Sequence, residues 1–106
     1  MADKVKGFRQ GDVLFVYLGP VPKETPEKAK VLKTRTVRKG ENGGLHQLEK
    51  GKDVVFYEMD GNRYVISKEG VSVTHGEHHH IKLPPGHYRV QVQREVSGRD
   101  WGFVND

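Results

Sequence analysis

The chain has 106 residues, a formal net charge of +4 and no cysteine. Disulfides, thiolate metal sites and a cysteine nucleophile are therefore excluded, and any metal must be held by His, Asp or Glu. No apolar run approaches the roughly 20 residues of a membrane span, and Met1-Ala2-Asp3-Lys4 opens no apolar signal core, so a cytoplasmic location without a membrane partner is expected.

The length suits one domain over residues 1–106 with one modest core. Only 34% of the residues are hydrophobic, but they are well patterned, which argues for a folded domain with a polar surface. Val13-Leu14-Phe15-Val16-Tyr17-Leu18 is apolar on both faces and reads as a central, doubly buried strand. Gly19-Pro20-Val21-Pro22 ends it. Thr25-Pro26-Glu27 looks like a helix start that runs for a single turn. Residues 31–37 alternate weakly, with β-branched Thr34, Thr36 and Val37, and predict one strand with a basic face.

Lys28, Lys30, Lys33, Arg35, Arg38 and Lys39 stand together with only Glu27 against them. Such a stripe is a candidate for phosphate or nucleic-acid contact; its plainer reading is a solvated strand face. Residues 38–51 are rich in glycine and charge and form the longest irregular piece, with Leu45-His46-Gln47-Leu48 inside it. His46 between two leucines suggests a short strand that points one imidazole inward. Residues 53–58 and Asn62–Ser67 predict two strands joined through Asp60-Gly61, a hairpin signal because both central residues of a type I′ turn need positive φ. Val71 and Val73 alternate with Ser72 and Thr74. After the Pro84-Pro85-Gly86 turn, Tyr88, Val90 and Val92 fall on one face and His87, Arg89, Gln91 and Gln93 on the other. About seven short strands with turns between them predict an all-β fold, a small, mostly antiparallel barrel or sandwich. Its expected core is Val13, Phe15, Val55, Tyr57, Val65, Val71, Val73, Tyr88, Val90 and Val92. The tail, with Trp101 and Phe103, is expected to lie back on the fold or to pack against a second copy in a homodimer, which would bury more surface for so polar a chain.

Chemistry concentrates in Thr74-His75-Gly76-Glu77-His78-His79-His80-Ile81, which holds four of the six histidines. Neutral imidazole ligates transition metals, and it titrates near neutrality. Gly76 allows a bulge through which His75 and His78 converge, although a straight strand would oppose them. With His46 from the glycine-rich stretch they make a candidate three-ligand set for zinc, manganese, iron or nickel. Glu77 would bind, orient an imidazole or act as base, with His80 as a further catalytic candidate and Arg89 or Arg94 taking an anion. Two other readings stand beside this one. The histidines line a polar pocket or lie on the surface without metal, or they work as a metal-free acid and base on a phosphodiester, helped by Arg89, Arg94 or Lys82. No Gly-x-Ser-x-Gly elbow, Walker loop or dinucleotide fingerprint is present.

Gln10-Gly11-Asp12-Val13-Leu14, His46 after a glycine-rich stretch, Thr74-His75-x-Glu77-His78 with Ile81, Pro84-Pro85-Gly86-x-Tyr88-x-Val90 and Gln93-Arg94-Glu95 together carry a resemblance. The chain resembles small, mostly uncharacterised bacterial and phage-borne β-proteins with an RQGDVLL…GHxH…THEEHxPI…PPGxYxVxxQRE pattern. The resemblance implies that His46, His75, Glu77 and His78 cluster. It departs at Gly44-Leu45-His46-Gln47, where one of two loop histidines is missing, and at His79-His80, where the pattern has a small residue and Pro. The spacing is also similar to cupin-type metal sites, by analogy only. Together these features predict a metal-dependent hydrolase of a phosphoester or similar small polar substrate. A non-catalytic nucleic-acid-binding module using the 28–39 stripe is the alternative.

Overall fold

The computed structural model describes residues 7–39, 45–50, 52–76 and 79–92, with the backbone of Phe103–Val104. Among them the chain is all-β. The strands are β1 (Gly7–Gln10), β2 (Val13–Gly19), β3 (Lys30–Val31), β4 (Thr36–Lys39), β5 (Leu45–Leu48) and β6 (Val54–Met59). They continue with β7 (Asn62–Ser67), β8 (Val71–Thr74), β9 (Ile81–Leu83), β10 (Gly86–Val92) and β11 (Phe103–Val104). They form a seven-stranded sheet in the order β11-β1-β2-β10-β7-β6-β3 and a four-stranded sheet in the order β4-β5-β8-β9. Every pairing is antiparallel except β1 with β11. The sheets do not close into a barrel; the architecture is sandwich-like.

The core lies between the sheets. Val13, Phe15, Phe56, Val65 and Tyr88 of the large sheet meet Val37, Leu48, Val71, Val73 and Leu83 of the small one, all at most 3% exposed. Strand alternation puts these residues on one face, and each buried side chain contributes roughly 1.5–3 kcal/mol. Asp60 and Gly61 have φ of 52° and 81°, and Met59 pairs with Asn62 around them, as a type I′ hairpin requires.

Three expectations need correction. First, residues 31–37 are not one strand. β3 is an edge of the large sheet and β4 of the small one, and the chain changes sheet between them. Leu32 donates its N–H to the Phe56 carbonyl at 2.8 Å before leaving. Second, Val54 and Phe56 face the core, whereas Val55 is half-buried and Tyr57 is buried on the opposite face. The cause is topological. To reach β3 from β2, residues 20–29 must pass β10, β7 and β6, about 19 Å at the usual strand spacing. On the face turned away from the small sheet, Leu14, Val16, Tyr57 and Ile66 are buried as well. Both faces of the large sheet are thus apolar, and alternation does not mark the inner one. Third, Thr25-Pro26-Glu27 starts no helix: the Ala29 N–H closes a turn on the Pro26 carbonyl at 3.0 Å. Trp101 lies outside the described residues, and of Phe103 the structure describes only the backbone, which pairs with Gly7.

Candidate functional site

One end of the sandwich gathers polar side chains in its interior. β1 and β2 are joined by a two-residue turn, with Gln10 and Val13 paired across it. Gly11 sits at its first central position with φ of 59°, the conformation a Gly-first hairpin turn needs. This turn carries Asp12 over the small sheet. Gln10, two residues beyond Phe8, falls on the core face and is fully buried.

A buried amide must be satisfied, and Gln10 is. Its Nε2 donates to the Val73 and His79 carbonyls, both at 2.9 Å. Its Oε1 lies 2.8 Å from His46 Nδ1. Because the amide nitrogen faces two carbonyls, the oxygen faces His46, and Nδ1 carries the proton. The other ring nitrogen, Nε2, lies 3.5 Å from Asp12 Oδ1. The His46 and His75 ring centroids are 4.3 Å apart, and these side chains are 1% and 8% exposed.

Arg38 completes the array. The β4–β5 register shifts between Thr36 and Arg38, a bulge that leaves Val37 buried and sets Arg38 directly opposite His46. Arg38 Nε donates to Asp12 Oδ2 at 3.2 Å. A chain of contacts therefore runs from Arg38 through Asp12 and His46 to His75.

The structure thus brings together His46 and His75 of the expected set. Glu77, His78 and Arg94 lie outside the described residues. His80 and Lys82 are exposed. Arg89 alternates with Val90, which packs on the core, so it points to the far face of the large sheet. There its Nη2 donates to Gln91 Oε1 at 3.1 Å. Among the described residues, no group of three or more His, Asp or Glu side chains is arranged to hold a metal ion. The basic stripe is divided: Lys30 belongs to the large sheet, and Arg38 and Lys39 to the small one.

Sequence reasoning missed Gln10 and Asp12 as site residues, although both stand in the Gln10-Gly11-Asp12 segment and Gln10 shares the parity of Phe8. It also missed a second polar cluster on the far face of the large sheet. Tyr57 Oη and His87 Nε2 are 2.6 Å apart, and Tyr64 stacks on Tyr57 with centroids 4.9 Å apart. Burial holds the His87 pKa below its ordinary value and raises that of Tyr57, with Tyr64 adding to the latter.

Residues 9–93 match the model of a family described as "Domain of unknown function (DUF8820)". No curated protein and no solved structure matches the chain.

Proposed function

We propose, on the premise that the chain belongs to this family of unknown function, that it is a metal-dependent hydrolase of phosphoesters or similar polar substrates. His46 and His75 are two of the metal ligands, and the sequence assigns His78 as the third. Asp12 supplies negative charge at the ion, and Glu77 orients a ligand or acts as base.

One observation carries this reading. Gln10 fixes the His46 ring through Nδ1 and aims Nε2 at Asp12 Oδ1, 3.5 Å away. A ring nitrogen and a carboxylate oxygen in that relation are suited to share a cation, either a proton or a metal ion. Donors about 2.1 Å from a zinc ion at tetrahedral angles stand about 3.4 Å apart, which fits the separation. A hydrogen bond on the far ring nitrogen is also what a ligating histidine requires to hold its tautomer. A divalent metal there would supply Lewis acidity and acidify a water.

The experiment is hydrolysis of a chromogenic phosphodiester by untagged protein, stripped with EDTA and resupplied with zinc, manganese, iron or nickel. Activity that vanishes on stripping and returns with one metal is expected. Activity unchanged by EDTA would instead assign the histidines to metal-free acid–base work.

A further inference from the structure

A cleft of about 410 Å³ opens beside this array, between the end of β4 and the β6–β7 hairpin. Its walls carry Arg38, Lys39 and Arg63; Val37, Val90 and Val92 supply apolar surface. Among the described residues, no carboxylate lines it. The bulge at Val37 turns Arg38 inward, and the short Asp60-Gly61 turn brings Arg63 to the same end of the sandwich. Arg63 Nη1 donates to the Val37 carbonyl at 3.0 Å, which holds its guanidinium against the small sheet. One of five donors is spent there, and one of Arg38's on Asp12. Glu58, the register partner of Arg63, also pairs with Lys30 and stays outside the lining.

Asp12 balances Arg38, so among the described residues of the lining the charges of Lys39 and Arg63 stand in excess. Two guanidinium forks and an ammonium suit a tetrahedral, multiply charged oxyanion, which takes bidentate contacts from arginine. The volume exceeds that of a bare phosphate, and the valines suit an organic substituent.

We propose that this cleft binds the phosphate of an organic phosphoester through Lys39, Arg63 and Arg38. The inference rests on the preceding reading for what happens to the phosphoester, not for its binding. Arg38 joins the two regions, because it lines the cleft and holds Asp12.

The test is titration of EDTA-treated, isotopically labelled protein with inorganic phosphate and, separately, with a dinucleotide, followed by amide NMR shifts. Shifts should centre on residues 37–39, 61–63 and 90–92. The dinucleotide should bind more tightly than phosphate, since only it reaches the valines. Lys39→Gln and Arg63→Gln should each weaken binding about tenfold, while Lys52→Gln, on an exposed lysine at the end of β6 away from the hairpin, should change it less than about twofold. Lys39 is exposed, so its substitution leaves the fold intact even if Arg63→Gln, which loses the Val37 bond, does not. Shifts centred on residues 28–33, equal losses in all three variants, or no binding would each overturn the proposal. Because no metal is present, cleft binding without metal-dependent hydrolysis would sink only the hydrolase reading, and hydrolysis without cleft binding only this one.

Discussion

Gln10 and His46 are joined at 2.8 Å with both side chains at most 1% exposed. The contact ties the first strand of the large sheet to the second strand of the small one. Gln10 also holds the carbonyls of Val73, just before the histidine-rich segment, and of His79, within it. Gln10→Ala removes three hydrogen bonds and leaves a buried imidazole N–H and two carbonyls without that partner. It should lower stability by about 3 kcal/mol, read from urea unfolding. Gln91→Ala, on a partly exposed residue, should cost less than about 1 kcal/mol. Equal effects would deny Gln10 its role as a hub.

Asp12 separates function from stability. Its ion pair with Arg38 joins side chains that are 33% and 24% exposed, and such pairs contribute about 1 kcal/mol or less. Asp12→Asn should therefore leave the unfolding midpoint nearly unchanged while metal affinity falls roughly tenfold to a hundredfold. Retained affinity together with a large loss of stability would make Asp12 a structural residue instead.

His46 and His75 of this array were legible in the sequence, and the part that was not has physical causes. His46 shares the parity of Leu48 and His75 that of Val73, so alternation with a buried neighbour marks both as inward. Gln10 and Asp12 are hidden, because a glutamine at a strand end and an acid in a turn are ordinary surface residues until the tertiary fold buries one and places the other beside an imidazole. Arg38 follows a bulge, which shifts the parity of its strand. The all-β architecture and the Asp60-Gly61 hairpin could be read from local rules. The phase of β6 could not, because apolar residues are buried on both faces of the large sheet. Nor could the split of residues 31–37 between two sheets, since both pieces carry β-branched residues.

Gly86 tests the packing around Tyr88 away from His46 and His75. A Cβ there would stand 2.7 Å from Tyr17 Cε1 and 3.3 Å from Tyr88 Oη. Tyr17 meets Tyr88 edge-on at 5.6 Å, so moving the Tyr17 ring sacrifices that contact. Gly86→Ala should destabilise by about 1–3 kcal/mol in denaturant unfolding. A neutral substitution would mean that Tyr17 swings outward at no cost.

Stability should fall at both ends of the pH range. Burial holds His87 below 6.5 in the folded chain, so below that value the unfolded chain takes up a proton first. Stability therefore declines as pH drops from 6.5 to the folded value and then levels off. Burial, with Tyr17 adding to it, pushes Tyr88 up to about 12 from 10.0, and its hydroxyl donates to the Pro84 carbonyl at 2.8 Å. Between these values only the unfolded chain has lost the proton, so stability declines as pH rises. Denaturant unfolding from pH 5 to 11 should show both arms, the acidic one flatter in His87→Gln and the alkaline one flatter in Tyr88→Phe. Arms unchanged by these substitutions would assign the pH dependence elsewhere.

Metal content decides the central proposal. Untagged protein purified without a nickel column should carry close to one transition-metal ion per chain by mass spectrometry, and His46→Ala and His75→Ala should each lose it while Lys82→Gln keeps it. Wild-type protein that is folded, free of metal and unable to take up zinc, manganese, iron or nickel would contradict it.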